Sequence, residues 1–214
     1  FTMADETAAR GRCAIICAAP ECELDGLRAD DYVIACDGGC AHALRNGIKP
    51  ALALGDFDSY HGELPPDVPV LRAPPEKDDT DTMLAIKLAL EKGYRDFLLL
   101  GATGGRLDHE LANVTAAVYI ANHGGRCELR YRGGVMRVVK DGALKLRGLK
   151  GQTVTVLAYS DVAEGVTLRG MKYPLNDYTL TNGEPLGVSN VALDDECSIE
   201  VRKGTLLVLE AGWQ

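Results

Sequence analysis

The sequence predicts an α/β protein in two parts. The first is an N-terminal α/β domain with a mostly parallel sheet, over residues 10–124, and the second is a C-terminal all-β sandwich, over residues 125–214. Three observations carry this prediction. Up to Gly124, short apolar runs alternate with amphipathic helical stretches, the pattern of strands joined by helices. Beyond Gly125, short runs with period-two alternation are separated by Gly, Asn and Asp, as in small sandwiches. The chain also has enough length, 214 residues, for one large domain or two small ones.

The elements follow in order. Residues 12–19 (RCAIICAA) read as a first strand ended by Pro20, and residues 32–36 (YVIAC) as a second. The second runs into Asp37-Gly38-Gly39 and a helical segment, 40–46, with Gly47 as its stop. A glycine turn between strand and helix can aim backbone N–H groups at an anion, although Asp-Gly-Gly is also ordinary turn chemistry. Residues 51–54 form a buried strand that ends in Gly55-Asp56-Phe57-Asp58-Ser59. If the backbone stays extended through Phe57, both carboxylates point to one side. Two like charges held close repel. Mg²⁺ is the natural counter-ion, because it takes hard oxygen ligands and is often held by carboxylates and substrate phosphates. A solvated turn is the plainer alternative.

A Pro-rich connection leads to Glu76-Lys77-Asp78-Asp79-Thr80-Asp81-Thr82, which opens an amphipathic helix ended by Gly93. Asp79 or Thr80 is expected to cap it. Residues 96–100 (DFLLL) are a buried strand running into Gly101-Ala102-Thr103-Gly104-Gly105-Arg106-Leu107-Asp108-His109, with a long helix over about 107–122. This turn can admit a phosphate close to the backbone. It carries neither a P-loop nor a dinucleotide fingerprint. Arg106 is suited to clamp phosphate oxygens with its fork, or else to pair locally with Asp108; His109 is read as structural. After Gly125 the strand-like runs are 126–132, 135–139, 143–147, 152–158, 166–168, 198–201 and 205–209. Between them, Ser189 and Asn190 can donate to and accept from a polar heterocycle, though such loops are commonly plain turns.

Composition narrows the partners. The net charge is -8, which argues against a nucleic-acid surface. No apolar run is long enough to span a membrane, and the first residues lack the basic and apolar regions of a signal peptide. Seven Cys, at 13, 17, 22, 36, 40, 127 and 197, include no Cys-x-x-Cys pair. Several lie in apolar runs, so reduced thiols in a cytoplasmic protein are expected, with zinc binding a minor alternative.

Taken in order, Asp37-Gly38-Gly39, Gly55-Asp56-Phe57-Asp58-Ser59, Lys77-Asp78-Asp79-Thr80-Asp81, Gly104-Gly105-Arg106-Leu107-Asp108-His109 and Val188-Ser189-Asn190 closely resemble the bacterial-type thiamine pyrophosphokinase family. Each phrase alone is weak; the ordered set is specific and covers nearly the whole chain. The resemblance implies a homodimer with active sites between subunits, which moves a pyrophosphoryl group from ATP to thiamine with Mg²⁺ and releases AMP. It implies that Asp56, Asp58 and Asp81 hold Mg²⁺ and the triphosphate. It also places Asp37, Gly38, Gly39, Lys77, Gly104, Gly105, Arg106 and Asp108 around the phosphates and the reacting hydroxyl. Thr181, Ser189 and Asn190 fall where thiamine contacts are expected. The chain departs from the eukaryotic pattern after Asn190, where Val191-Ala192-Leu193 stands in place of a nearby Trp; its single Trp is Trp213. The proton of the attacking hydroxyl is expected to pass to Asp108 or Asp81. Two other readings compete: a metal-dependent phosphohydrolase with Asp56 as nucleophile and Asp58 as acid, and a non-catalytic module that binds a nucleotide or thiamine.

Overall fold

A computed structural model describes residues 11–57, 60, 62–73 and 79–211. The chain divides into two compact units, one up to Arg130 and one from Tyr131.

The first unit contains β1 (Arg12–Ile16), β2 (Tyr32–Cys36), α1 (Gly39–Arg45), β3 (Leu52–Gly55), β4 (Val70–Arg72), α2 (Asp81–Glu91), β5 (Asp96–Leu100), α3 (Leu107–Asn122) and β6 (Arg126–Tyr131). Its strands are parallel throughout, in the order β6-β5-β1-β2-β3-β4. Parallel strands covered on both faces read as continuous apolar runs, and β1 is buried along its whole length. On one face Ala14, Ile16, Ala35, Ala53, Leu98 and Leu100 pack with Cys40 and Ala43 of α1. Their sequence neighbours Ile15, Ile34, Leu54 and Leu99 are fully buried too and, by alternation, face the other way. α2 lies against β1, β2 and β3 and against α3. α1 enters close to β1: a Cβ on Gly39 would stand 2.1 Å from the Ile16 carbonyl oxygen, so only glycine fits.

Two local expectations are refined here. Thr80 is the cap of α2, its hydroxyl accepting from the Met83 N–H at 3.2 Å. β4, unforeseen from its Pro-rich surroundings, is a three-residue exposed edge strand, the place where Pro69 before it is tolerated.

The second unit contains β7 (Gly134–Lys140), β8 (Ala143–Arg147), β9 (Thr153–Ala158), β10 (Val162–Arg169), β11 (Leu175–Thr181), β12 (Asn190–Val191), β13 (Glu196–Glu200) and β14 (Thr205–Ala211). Antiparallel pairing orders them β12-β9-β14-β7 in one sheet and β11-β10-β13-β8 in the other. Val139, Val154, Val156, Leu206 and Val208 from the first and Leu146, Val166, Leu168, Leu180 and Ile199 from the second share one core. This is a sandwich, with inward apolar residues alternating most plainly along β9 and β13.

The unit boundary falls at Arg130 rather than at Gly124-Gly125. The cause is β6, which the alternation assigns to the sandwich but which pairs in parallel with β5. β10 is longer than its apolar core of 166–168, because Gly165 at φ 70° breaks the alternation where the register with β11 shifts. β11 is largely exposed, with Leu180 its one buried residue, so its sequence shows no alternation to read.

Candidate active site

The strand order of the first unit reverses at β1, since β2, β3 and β4 lie to one side and β5 and β6 to the other. In open α/β sheets, ligands bind in the crevice beyond the carboxyl ends of strands at such a switch point. A cleft of about 570 Å³ lies there, within the range of small-molecule sites. Among the described residues it is lined by the turns after β1 (Cys17–Pro20), β2 (Cys36, Asp37), β3 (Asp56) and β5 (Gly101, Ala102), and by the starts of α2 and α3.

Asp37, Asp56 and Asp81 meet at this cleft, each offering a carboxylate oxygen within 4.8 Å of the others. They come from three separate segments, and local bonds fix each. The Asp37 N–H donates to the Leu54 carbonyl at 2.9 Å, tying the end of β2 to β3. Asp37 adopts φ 44°, a left-handed conformation that Asp tolerates better than most residues. The Thr82 hydroxyl donates to Cys17 Sγ at 3.4 Å and Cys36 Sγ to the Asp81 carbonyl at 3.7 Å, docking the first turn of α2 onto β1 and β2. Burial pushes the Cys17 thiol up to about 12, which keeps the sulfur neutral beside the acids. Gly55, at φ 150°, leaves the room: a Cβ there would stand 3.2 Å from both Asp37 Cβ and Asp81 Oδ2.

The expected pairing of Asp56 with Asp58 rested on extended backbone through Phe57. Phe57 instead has φ 61°, with the Arg72 guanidinium over its ring at 5.3 Å. The chain turns there, so alternation does not place the two carboxylates on one side. Asp58 and Lys77 lie outside the described residues, as does Trp213. Asp37, expected among the phosphate contacts, stands with the acids instead. Three hard oxygen donors suit a Mg²⁺-type ion.

The glycine turns differ from their expectation. Gly39 packs on Ile16, and the helix it begins has only seven residues, with no side-chain cap. At the β5–α3 turn, the Gly104 and Gly105 N–H groups donate to Glu110 Oε1 at 2.9 and 3.0 Å. Arg106 forks onto Asp108, its Nε and Nη2 donating at 3.1 and 2.6 Å. That pairing holds the Asp108 carboxyl below its usual range. Arg106, His109, Glu110 and Asn113 all line the cleft; the sequence reading assigned no ligand role to the last three.

In the second unit, the expected thiamine contacts are divided. Thr181 ends β11 in one sheet, whereas Asn190 begins β12 in the other. Ser189 is exposed at φ 59°, its N–H donating to Thr155 Oγ1 at 3.0 Å. Asn190 is buried, and its amide is engaged internally. Oδ1 accepts from the N–H groups of Tyr173 and Val191, and Nδ2 donates to the Tyr173 carbonyl at 2.8 Å. Its side chain therefore holds Tyr173, which is 59% exposed.

A parallel sheet with an acidic crevice at its switch point, followed by a β-sandwich, defines an α/β enzyme of the kind that handles phosphate-bearing substrates. The catalytic-domain model of the thiamin pyrophosphokinase family matches residues 25–129, and that family's vitamin B1 binding domain model matches residues 141–206. A thiamine pyrophosphokinase of Bacillus subtilis (strain 168) is 30% identical over 186 residues, covering 83% of this chain and 86% of that protein. Among solved structures, the thiamine pyrophosphokinase of Bacillus subtilis superposes with a TM-score of 0.86 at 27% identity, over 94% of this chain and 99% of that one. That of Geobacillus thermodenitrificans gives 0.83 at 29% identity, over 95% and 99%. The chain belongs to the thiamin pyrophosphokinase family. Its activity is accordingly that of a thiamine diphosphokinase, with ATP as co-substrate, and the hydrolase and binding-module readings are not favoured.

Proposed function

We propose that the switch-point cleft is where ATP reacts and that Asp37, Asp56 and Asp81 hold its Mg²⁺, with Asp58 as a further ligand. The convergence of the three carboxylates carries this reading. When bound, Mg²⁺ would neutralise the phosphate oxygens, the main requirement of such transfers. The hydroxyl of thiamine attacks the β-phosphorus, the bond from that phosphorus to the α–β bridging oxygen breaks, and AMP leaves. Arg106 steadies the charge that moves onto the leaving group. Asp108 holds Arg106 in place. The hydroxyl proton is assigned to one of two carboxylates, Asp108 or Asp81, each of which has a cationic partner, Arg106 for the first and Mg²⁺ for the second.

Lys77, Gly38 and Gly39 complete the surroundings of the phosphates, with the Gly104-Gly105 turn placing Arg106 beside them, and Thr181, Ser189 and Asn190 those of thiamine. For Asn190 the role is indirect, through Tyr173. Incubation with thiamine and MgATP, followed by chromatography, tests the reading. Thiamine diphosphate and AMP in equal amounts are expected; thiamine monophosphate with ADP would overturn it.

The working form is proposed to be a homodimer with active sites between subunits, as the resemblance implies. Refolding a mixture of Asp56→Asn and Ser189→Ala/Asn190→Ala chains should then restore part of the activity. A silent mixture with mixed dimers present rules this out. A cytoplasmic setting is proposed on the seven free thiols.

A further inference from the structure

The turn between β5 and α3 is held from the helix side by two residues three apart. The Asn113 amide, buried, donates to the Ala102 carbonyl at 2.8 Å. Glu110 Oε1 accepts both the Gly104 and the Gly105 N–H. Positions three apart share a helix face, so these side chains reach back together over residues 102–105. On the other side, a Cβ on Gly105 would stand 3.1 Å from the Pro20 ring. The turn is thus clamped between α3 and the segment after β1, immediately before Arg106.

Two adjacent N–H groups converging on one point make a seat for an anion. Here the chain fills the seat with its own carboxylate, and a negative charge near the start of α3 also suits the helix dipole. We propose that Glu110 is a positioning residue for the transfer. It does not touch the substrate. It fixes the Gly104-Gly105 turn before ATP arrives, so that Arg106 enters the cleft at the angle the leaving group needs. The inference rests on the family's reaction and on the role given to Arg106. It assigns the backbone N–H groups of Gly104 and Gly105 to Glu110 rather than to phosphate.

The competing picture, in which Glu110 occupies the seat only until a phosphate expels it, predicts tighter ATP binding once the carboxylate is removed. The test uses Glu110→Ala, Glu110→Gln and Glu110→Asp in the full chain, with kcat, KM for ATP and thermal midpoint measured beside wild type. Gln keeps an acceptor oxygen at the same reach, whereas Asp is one methylene short. Misplacing a group near the chemistry typically costs about 10- to 100-fold. Loss of that order is expected in kcat for Ala and Asp, with KM for ATP changed less than about threefold and Gln within about threefold of wild type in kcat. Should Ala fail to fold, the Gln and Asp pair decides alone. Wild-type kcat in the Asp variant, or a lowered KM for ATP in any variant, would overturn the proposal. Absence of product with wild type itself would instead overturn the reaction assigned above.

Discussion

Replacing Asp37 with Asn tests whether the three acids work as a metal site. The substitution spares the backbone, because Asn tolerates the left-handed conformation at φ 44° at least as well as Asp. It removes one charge from a cluster whose oxygens lie within 4.8 Å of one another. At that separation a like-charge pair costs roughly 3–4 kcal/mol for an effective dielectric of about 20. Solvent at the half-exposed Asp56 and Asp81 reduces this to about 1 kcal/mol per pair. Two pairs disappear, so the metal-free variant should gain about 1–2 kcal/mol, or about 2–8 °C in thermal midpoint. With Mg²⁺ the order reverses. Wild type at a hundred times its Kd should gain about 2.7 kcal/mol, and the variant, lacking one anionic ligand, should gain much less. Thermal melts in EDTA and in a Mg²⁺ series measure both arms, with thiamine diphosphate formation alongside. A variant that melts like wild type in EDTA and responds equally to Mg²⁺ would refute the cluster as the metal site.

Three further outcomes are expected. Gly55→Ala places a Cβ 3.2 Å from Asp37 and Asp81 in a conformation L residues avoid. Backbone strain of this kind costs about 1–3 kcal/mol, and turnover should fall with stability; wild-type turnover would contradict the account of Gly55. Thr80→Ala removes the cap of α2 and should lower the urea midpoint by the equivalent of about 1 kcal/mol without changing the slope, while Thr80→Ser stays near wild type. Burial lifts Cys13, Cys17 and Cys40 from 9.0 to about 12 and the half-buried Cys22 to about 11. Raised folded values leave stability intact below pH 9 and erode it as pH climbs toward 12, because unfolding then releases thiols that ionise. Iodoacetamide at pH 8 should therefore label Cys22 first and the buried thiols only after denaturation; rapid labelling of Cys17 in the native protein would contradict this.

The alternation of apolar runs and amphipathic helices by itself determined the α/β half, because strands buried on both faces must be apolar throughout. Period-two alternation likewise determined the sandwich. The ordered motifs determined the family, and the carboxyl ends of the strands determined where its acids would stand. What remained for the tertiary structure was which acids meet. Asp37 reaches Asp56 and Asp81 through the β2–β3 bond from its own N–H, a contact between segments that no local pattern encodes. The turn at Phe57 hides from alternation in the same way. β6 reads as a sandwich strand until its parallel pairing with β5 is seen. Asn190 reads as a ligand contact until its amide is found holding Tyr173, and Glu110 reads as one more acid in a first turn. Sequence spacing specifies the direction of a side chain within its own element. Its partner is set by the register and packing of other elements, and there the fold decided.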